Sequence, residues 1–420
     1  MAASGMKESS GRADRKTARA DAPRVALVTN IPTPYRNPCY AALSRLCDLK
    51  VFFNSWTEPD RNWEFTPDDL DYPCEIVRSY TIPYRRRNRL LGTVNATTYA
   101  QVGIGLPASL RRFRPDVVIG PAFGPTSMLA LGYAKVSGAR FILWSEGTRH
   151  TEAGLSWLRK KQRTMVTTGA HGYWTNGELS SELLLDYGRG DQPVQEGMTG
   201  IDTRAFQAAV AGHRPNRVAL REKYGVSGTT FLFVGAVSER KGVRQMADAF
   251  KLAGKTAVGP ATILVAGVGK ESAKLAAAAS ETPELSTVQL GFVPPQRVPE
   301  LFATADAFVL PTLSDNWSLA VLEAAVTGIP QLFSRYNGGS RDLLAAGAAG
   351  EMFDPADATG FAETLARYWT APPPFSDAAA LDHIAAYYGP EAFADRAMES
   401  IRSVLWAERA APSTPAAGVA

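Results

Sequence analysis

The sequence predicts an α/β protein of two parallel-sheet domains. Three observations predict it. Short apolar runs alternate with helical stretches from Arg24 to about Tyr187. That alternation stops between Gly200 and Gly228 and restarts at Phe231. And 420 residues exceed what one ordinary hydrophobic core holds.

The first half begins with a strand at 24–29 (RVALVT), apolar throughout, as a parallel strand covered on both faces should be. The loop 30–36 (NIPTPYR) holds two prolines and cannot be helix. Asn37 then caps a helix to about Leu46, with Pro38 in its first turn. Residues 49–54 read as a strand, 56–71 show no period, 75–80 read as a strand and 101–112 as a helix. Strands follow at 116–120 (DVVIG) and 140–144 (RFILW), with a helix at 126–136 between them. A helix at 156–167 carries Arg159, Lys160, Lys161 and Arg163; 172–176 is extended and 178–187 helical. In such sheets ligands lie beyond the carboxyl ends of the strands, so the loops 30–36, 121–125 and 145–150 share one rim.

Composition bounds the function. Hydrophobic content of 45% and charged content of 20% are ordinary for a globular protein. A net charge of +4 is too small for a dedicated nucleic-acid binder, so none is expected as partner. Cys39, Cys47 and Cys74 have no metal-like spacing and read as reduced thiols of a cytoplasmic protein. No apolar run reaches the ~18 residues of a spanning helix. Residues 1–22 are polar without an apolar stretch and are expected to be a disordered tail rather than a secretory signal, as are 411–420. Basic groups at Arg85, Arg86, Arg87, Arg89 and again at 159–163 leave two readings. They are solvated loops, or they touch an anionic surface at the inner face of a membrane.

The second half restarts with a strand at 231–235 and a helix at 242–252. Strands at 262–267 and 287–292 follow, with a helix at 297–304. The stretch 308–330 (FVLPTLSDNWSLAVLEAAVTGIP) is a buried strand, a polar loop and a helix ending at Gly328. Strands at 330–334 and 351–354 and helices at 358–369, 377–387 and 392–407 complete the chain. Asp315 lies in the polar loop, where free helix N–H groups favour an anionic or oxygen-rich ligand. Glu323 lies on the helix beside apolar Leu319, Leu322 and Ala325, where a carboxylate needs a partner or a ligand hydroxyl. Spacing alone also allows a cap residue and a half-buried helix acid. GAVSERKG (235–242) leaves a strand and enters a helix: Gly235 permits close approach, while Arg240 and Lys241 offer charge to a phosphate or are simply solvated. GVG at 267–269 and NGG at 337–339 read equally as anion loops or tight turns. Asp69-Leu70-Asp71 mimics a metal motif without strand context and is taken as chance.

The stretch Asp315, seven residues, Glu323-Ala324-Ala325, Gly328, Pro330 resembles the signature of the retaining, metal-independent glycosyltransferases of family 4. The resemblance implies the GT-B fold: two Rossmann-like domains facing each other across a cleft. It implies an acceptor domain over 23–205, a linker at 206–228, a nucleotide-sugar donor domain over 229–388, and a helix at 389–410 crossing back. No metal or other cofactor is expected, because the nucleotide sugar is a substrate. Lys241, Arg240 and the backbone around Asn316, Trp317, Ser318 and Leu319 would hold the donor's diphosphate. Asp315 would hold sugar hydroxyls and Glu323 the ribose. The LGFVP segment, with Phe292 and Val293, resembles the part whose backbone meets the base. The PTPYR loop puts Asn30, Tyr35 and Arg36 toward the acceptor: a glycan, a lipid-linked sugar or a small molecule. Glu146 would lie near the reacting sugar, with His150 the weaker candidate. The sequence departs from the family at Asp315 for glutamate, Ser318 for glycine and Ala236 for arginine. Two other classes compete: a same-fold nucleotide-sugar epimerase, and a non-catalytic nucleotide-sugar-binding module. A dinucleotide dehydrogenase is disfavoured, because the first strand runs into proline where a glycine turn belongs.

Overall fold

The computed structural model describes residues 22–58, 65–85 and 97–406. Its first sheet is built from β1 (Arg24–Thr29), β2 (Asp48–Phe53) and β3 (Cys74–Ile76) on one side. On the other side lie β6 (Val117–Pro121), β7 (Arg140–Ser145), β8 (Gly172–Thr175) and β9 (Val194–Gln195), in the order β3-β2-β1-β6-β7-β8-β9. Every pairing in this sheet is parallel. Alternate residues of β1 serve opposite faces, which is why RVALVT reads as one apolar run. Val25 and Leu27 join a core with Phe393, Ala397 and Ile401, whereas Ala26 and Val28 join another with Leu110, Leu131 and Phe141.

The second sheet runs β12-β11-β10-β13-β14-β15 and is also parallel throughout. Its strands are β10 (Thr229–Val234), β11 (Ala261–Ala266), β12 (Leu285–Gln289), β13 (Ala307–Leu310), β14 (Gln331–Ser334) and β15 (Gly350–Phe353). In both sheets the strand order therefore reverses beside the first strand, between β1 and β6 and between β10 and β13. At such a reversal the loops on either side part and leave a crevice beyond the strand ends. The helix Pro390–Trp406 leaves the second domain and packs on the helix Asn37–Leu46 and on β7 and β8 of the first. The crossing is tight: a Cβ on Gly172 would lie 2.7 Å from Val404.

Three segments differ from the sequence expectation. The helix expected over 101–112 begins only at Leu106, with Pro107 in its first turn. The residues before it form β5 (Thr97–Val102), antiparallel to β4 (Tyr80–Arg85) in a separate hairpin. The strand expected at 75–80 is β3, which ends at Ile76, and its last expected residue, Tyr80, opens the hairpin instead. Second, Ser272–Glu281 is a helix where the sequence predicts no element; only Leu275 and Ala278 of it are buried. Third, the linker expected at 206–228, with one polar helix in it, carries two helices. The helices Thr203–His213 and Arg217–Tyr224 bury Val210, Leu220 and Tyr224 in the second domain's core. Arg217 and Arg221 both ion-pair with Asp306 at the foot of β13, at 2.5 and 3.2 Å.

Candidate functional site

The second-domain side forms where the loops after β10 and β13 touch. Gly235 ends β10 with φ +147°, and Gly242 closes the turn Glu239–Lys241 with φ +71°. A Cβ on Gly242 would lie 1.8 Å from the Pro311 carbonyl, so only glycine lets the two loops meet. This contact seats Lys241, largely buried, against Asp315, with which it forms an ion pair. Arg240 Nη1 donates to the Ser314 carbonyl at 2.9 Å and lies 3.5 Å from Asp315 Oδ2. Burial alone would raise the Asp315 carboxyl. Lys241 and then Arg240 outweigh it and hold the group below its ordinary value.

The loop carrying Asp315 is bracketed by NGG. Asp315 N–H donates to the Tyr336 carbonyl, Gly338 N–H to the Asp315 carbonyl, each at 3.1 Å. Ser318 N–H donates to Asn337 Oδ1 at 3.0 Å. A Cβ on Gly338 would meet the Asn316 carbonyl at 1.7 Å, and one on Gly339 the Trp317 ring at 2.4 Å. The glycines of NGG thus serve close packing of this loop. Those of GVG do the same for 235–237, since Cβ atoms on Gly267 and Gly269 would strike the carbonyls of Gly235 and Val237.

One donor expectation is corrected here. The Ser318 amide is already engaged by Asn337, so it is not a free donor for a phosphate. Trp317, of which only the backbone was expected at the donor, turns its ring into the second domain's core, 5.3 Å from Tyr388. The N–H groups of Leu319 and Ala320, in the first turn of the helix Leu319–Thr327, take no partner among the described residues. Glu323, on that helix, is half-buried and makes no hydrogen bond or ion pair among the described residues. Burial pushes its carboxyl up to about 7. At the end of the loop after β12, Phe292 is exposed, and Val293 packs partly on the core.

The first-domain side is a cavity of about 680 Å³ beyond β1, β6 and β7. Asn30, Tyr35, Arg36 and Glu146 line it, and so does Asn316 from the second domain. Glu146 is not a free polar group: it is ion-paired with Arg36, whose guanidinium lies 4.7 Å over the Trp144 ring. Burial opposes the Arg36 charge, and Glu146 more than offsets it, holding Arg36 above its ordinary value. Asn30 Oδ1 accepts from Asn54 Nδ2 at 3.3 Å. Tyr35 packs partly against the second domain's core. His150 is committed elsewhere. Its Nε2 donates to the Leu313 carbonyl at 2.8 Å and its ring stacks on Tyr336, so it ties the domains together beside the Asp315 loop. Asp342 adds a second tie by accepting from Glu178 N–H at 3.2 Å.

The structure therefore gathers Arg240, Lys241 and Asp315, and places Asn316 of the same loop in the cavity of Arg36 and Glu146. The sequence singled out Asn337 only as part of NGG, read as an anion loop or a tight turn; that its side chain holds the Ser318 amide had no local signal. Asp69 of the Asp-Leu-Asp stretch accepts from Thr66 N–H and Oγ1, both at 2.7 Å, and caps a turn. Among the described residues no three His, Cys, Asp or Glu side chains are placed to share a metal ion. Of the basic run near β4, Arg86, Arg87 and Arg89 lie outside the described residues.

Comparison with known proteins agrees with this geometry. Residues 219–380 match the family model described as glycosyl transferases group 1. The glycogen synthase of Mycobacterium tuberculosis is 27% identical over 270 residues, 61% of this chain. The chain spans about 60% of that relative's length. The structure resembles sucrose-phosphate synthase from Thermosynechococcus elongatus, with TM-score 0.66 and 13% identity, covering 91% of this chain and 99% of that one. It also resembles Anabaena HepE in complex with UDP and glucose, with TM-score 0.62 and 12% identity over 91% of this chain and 100% of the other. The fold is thus GT-B, two Rossmann-like domains across a cleft, and its second domain carries the glycosyl transferases group 1 match.

Proposed function

We propose that this protein is a retaining glycosyltransferase. It moves a sugar from a UDP- or GDP-linked donor to a hydroxyl of a glycan, lipid-linked or small-molecule acceptor, in the cytoplasm and without a metal. The observation that carries this is the loop 312–318. Its Asp315 holds Lys241 on one side, and its Asn316 enters the cavity of Arg36 and Glu146 on the other. A reacting sugar placed on this loop touches both domains at once. The group 1 match and the UDP in the HepE complex support a nucleotide-sugar donor.

Transfer builds negative charge on the leaving diphosphate and positive charge on the anomeric carbon. Fixed cations and N–H donors aimed at the diphosphate stabilise the transition state. Lys241 and Arg240 supply the cations, and the Leu319 and Ala320 amides at the helix start supply the donors. When Lys241 turns to the diphosphate, Asp315 is freed to accept from sugar hydroxyls. Glu323, lacking a partner, accepts from the ribose. The leaving phosphate oxygen takes the acceptor's proton, which requires no free protein base and suits a Glu146 already bound to Arg36. Incubation with UDP- and GDP-sugars and a panel of acceptors tests this by release of nucleoside diphosphate and the configuration of the product. Acceptor-dependent release with retained configuration is expected. Donor binding without turnover, or interconversion of sugars without an acceptor, would refute it.

A further inference from the structure

The helix Trp157–Gly169 turns three of its apolar side chains outward. Trp157 is 74% exposed, Leu158 62% and Met165 45%. At 3.6 residues per turn Trp157, Lys161 and Met165 lie on one face with Leu158 beside it, and Lys160 flanks that face. Both lysines are exposed and have no ion pair among the described residues. The opposite face carries Val166 and Thr167, which are buried. A solvent-facing helix surface normally shows the reverse distribution. Exposed Trp and Leu beside unneutralised Lys match the chemistry of a bilayer interface: apolar rings enter the headgroup layer while ammonium groups meet anionic lipid.

The position of this face gives it meaning. Arg159, on the inner edge of the same helix, lines the cavity of Arg36 and Glu146, as does Leu155 just before it. Ile82 of the β4–β5 hairpin lines that cavity too and is 52% exposed. Tyr80, two residues earlier and so on the same face of the strand, is 56% exposed. Apolar and basic groups thus flank one opening from two separate elements.

We propose that this rim docks on an anionic lipid bilayer, so that a lipid-carried acceptor reaches the cavity from the membrane. The choice of acceptor rests on the glycosyltransferase reading above; the docking itself does not. The test is sedimentation of the full chain with vesicles of phosphatidylcholine alone and with added phosphatidylglycerol, alongside Trp157→Ala/Leu158→Ala and Lys160→Ala/Lys161→Ala. Binding to the phosphatidylglycerol vesicles is expected, weakened by salt and about thirtyfold weaker without the two lysines. The Trp157/Leu158 variant should bind more weakly at every salt concentration. Each variant's melting shift with UDP and GDP is measured in parallel and should match wild type, which shows that the fold and donor site are intact. Wild type that ignores anionic vesicles, or variants that bind them as wild type does, would overturn the docking surface. Loss of the nucleotide shift in wild type would instead strike the glycosyltransferase reading.

Discussion

Glu323→Gln exchanges a carboxyl for an amide of the same shape at a half-buried position with no protein partner. Burial raises the Glu323 carboxyl from its ordinary value of 4.5 to about 7. The folded protein therefore binds that proton more tightly than the unfolded chain between those two values. Stability must fall as pH rises through this window, and above it the folded state carries the full cost of a half-buried charge. At 1.36 kcal/mol per unit, that cost is at most ~3 kcal/mol. Glutamine carries none of it. The variant should melt with wild type near pH 4 and exceed it at pH 8 by up to roughly 4 °C, at ~1 °C per kcal/mol for 420 residues. Added nucleoside diphosphate should narrow or reverse the difference, because a carboxylate accepts from the ribose hydroxyls more strongly than an amide oxygen does. Melting curves from pH 4 to 9, with and without UDP and GDP, measure both effects. A difference between the proteins that stays constant with pH, or a less stable variant at pH 8, would refute the reasoning.

Lys241→Ala leaves the Asp315 carboxylate in a buried site with only Arg240 nearby, so it should cost about 3 kcal/mol or more by denaturant melting. Adding Asp315→Asn should restore much of that stability without restoring transfer. Asn337→Ala removes the acceptor for the Ser318 amide. It should cost about 1–3 kcal/mol and raise KM for the donor more than for the acceptor. Arg36→Ala leaves Glu146 unpaired in the cavity. It should weaken acceptor use while the UDP or GDP melting shift stays as in wild type, which steady-state kinetics and thermal melting separate.

What the sequence disclosed is what local pattern controls. β1, β10 and β13 announced themselves as apolar runs because each is covered on both faces. Asp315, Glu323 and Lys241 were legible because their spacing follows one strand–loop–helix unit and the loop next to it. The pairings made by folding were not legible. Arg36 and Glu146 are 110 residues apart, and no pattern near either foretells that they neutralise each other. The ring of Trp317 packs on Tyr388, from a helix end far along the chain, a contact that no local pattern announced. The β4–β5 hairpin escaped because its second strand runs directly toward a real helix. The helices around Val210 and Tyr224 looked polar because each buries a narrow stripe.

The central claim is that the second domain grips a nucleotide's diphosphate through Lys241 and the start of the helix Leu319–Thr327. Its most direct test is the melting temperature of wild type and Lys241→Ala with rising UDP and GDP. Wild type should gain about 2.7 kcal/mol at a hundredfold excess over Kd with one of the two, and the variant almost nothing. A flat wild-type response to both nucleotides and their sugars, or an equal gain in the variant, would contradict it.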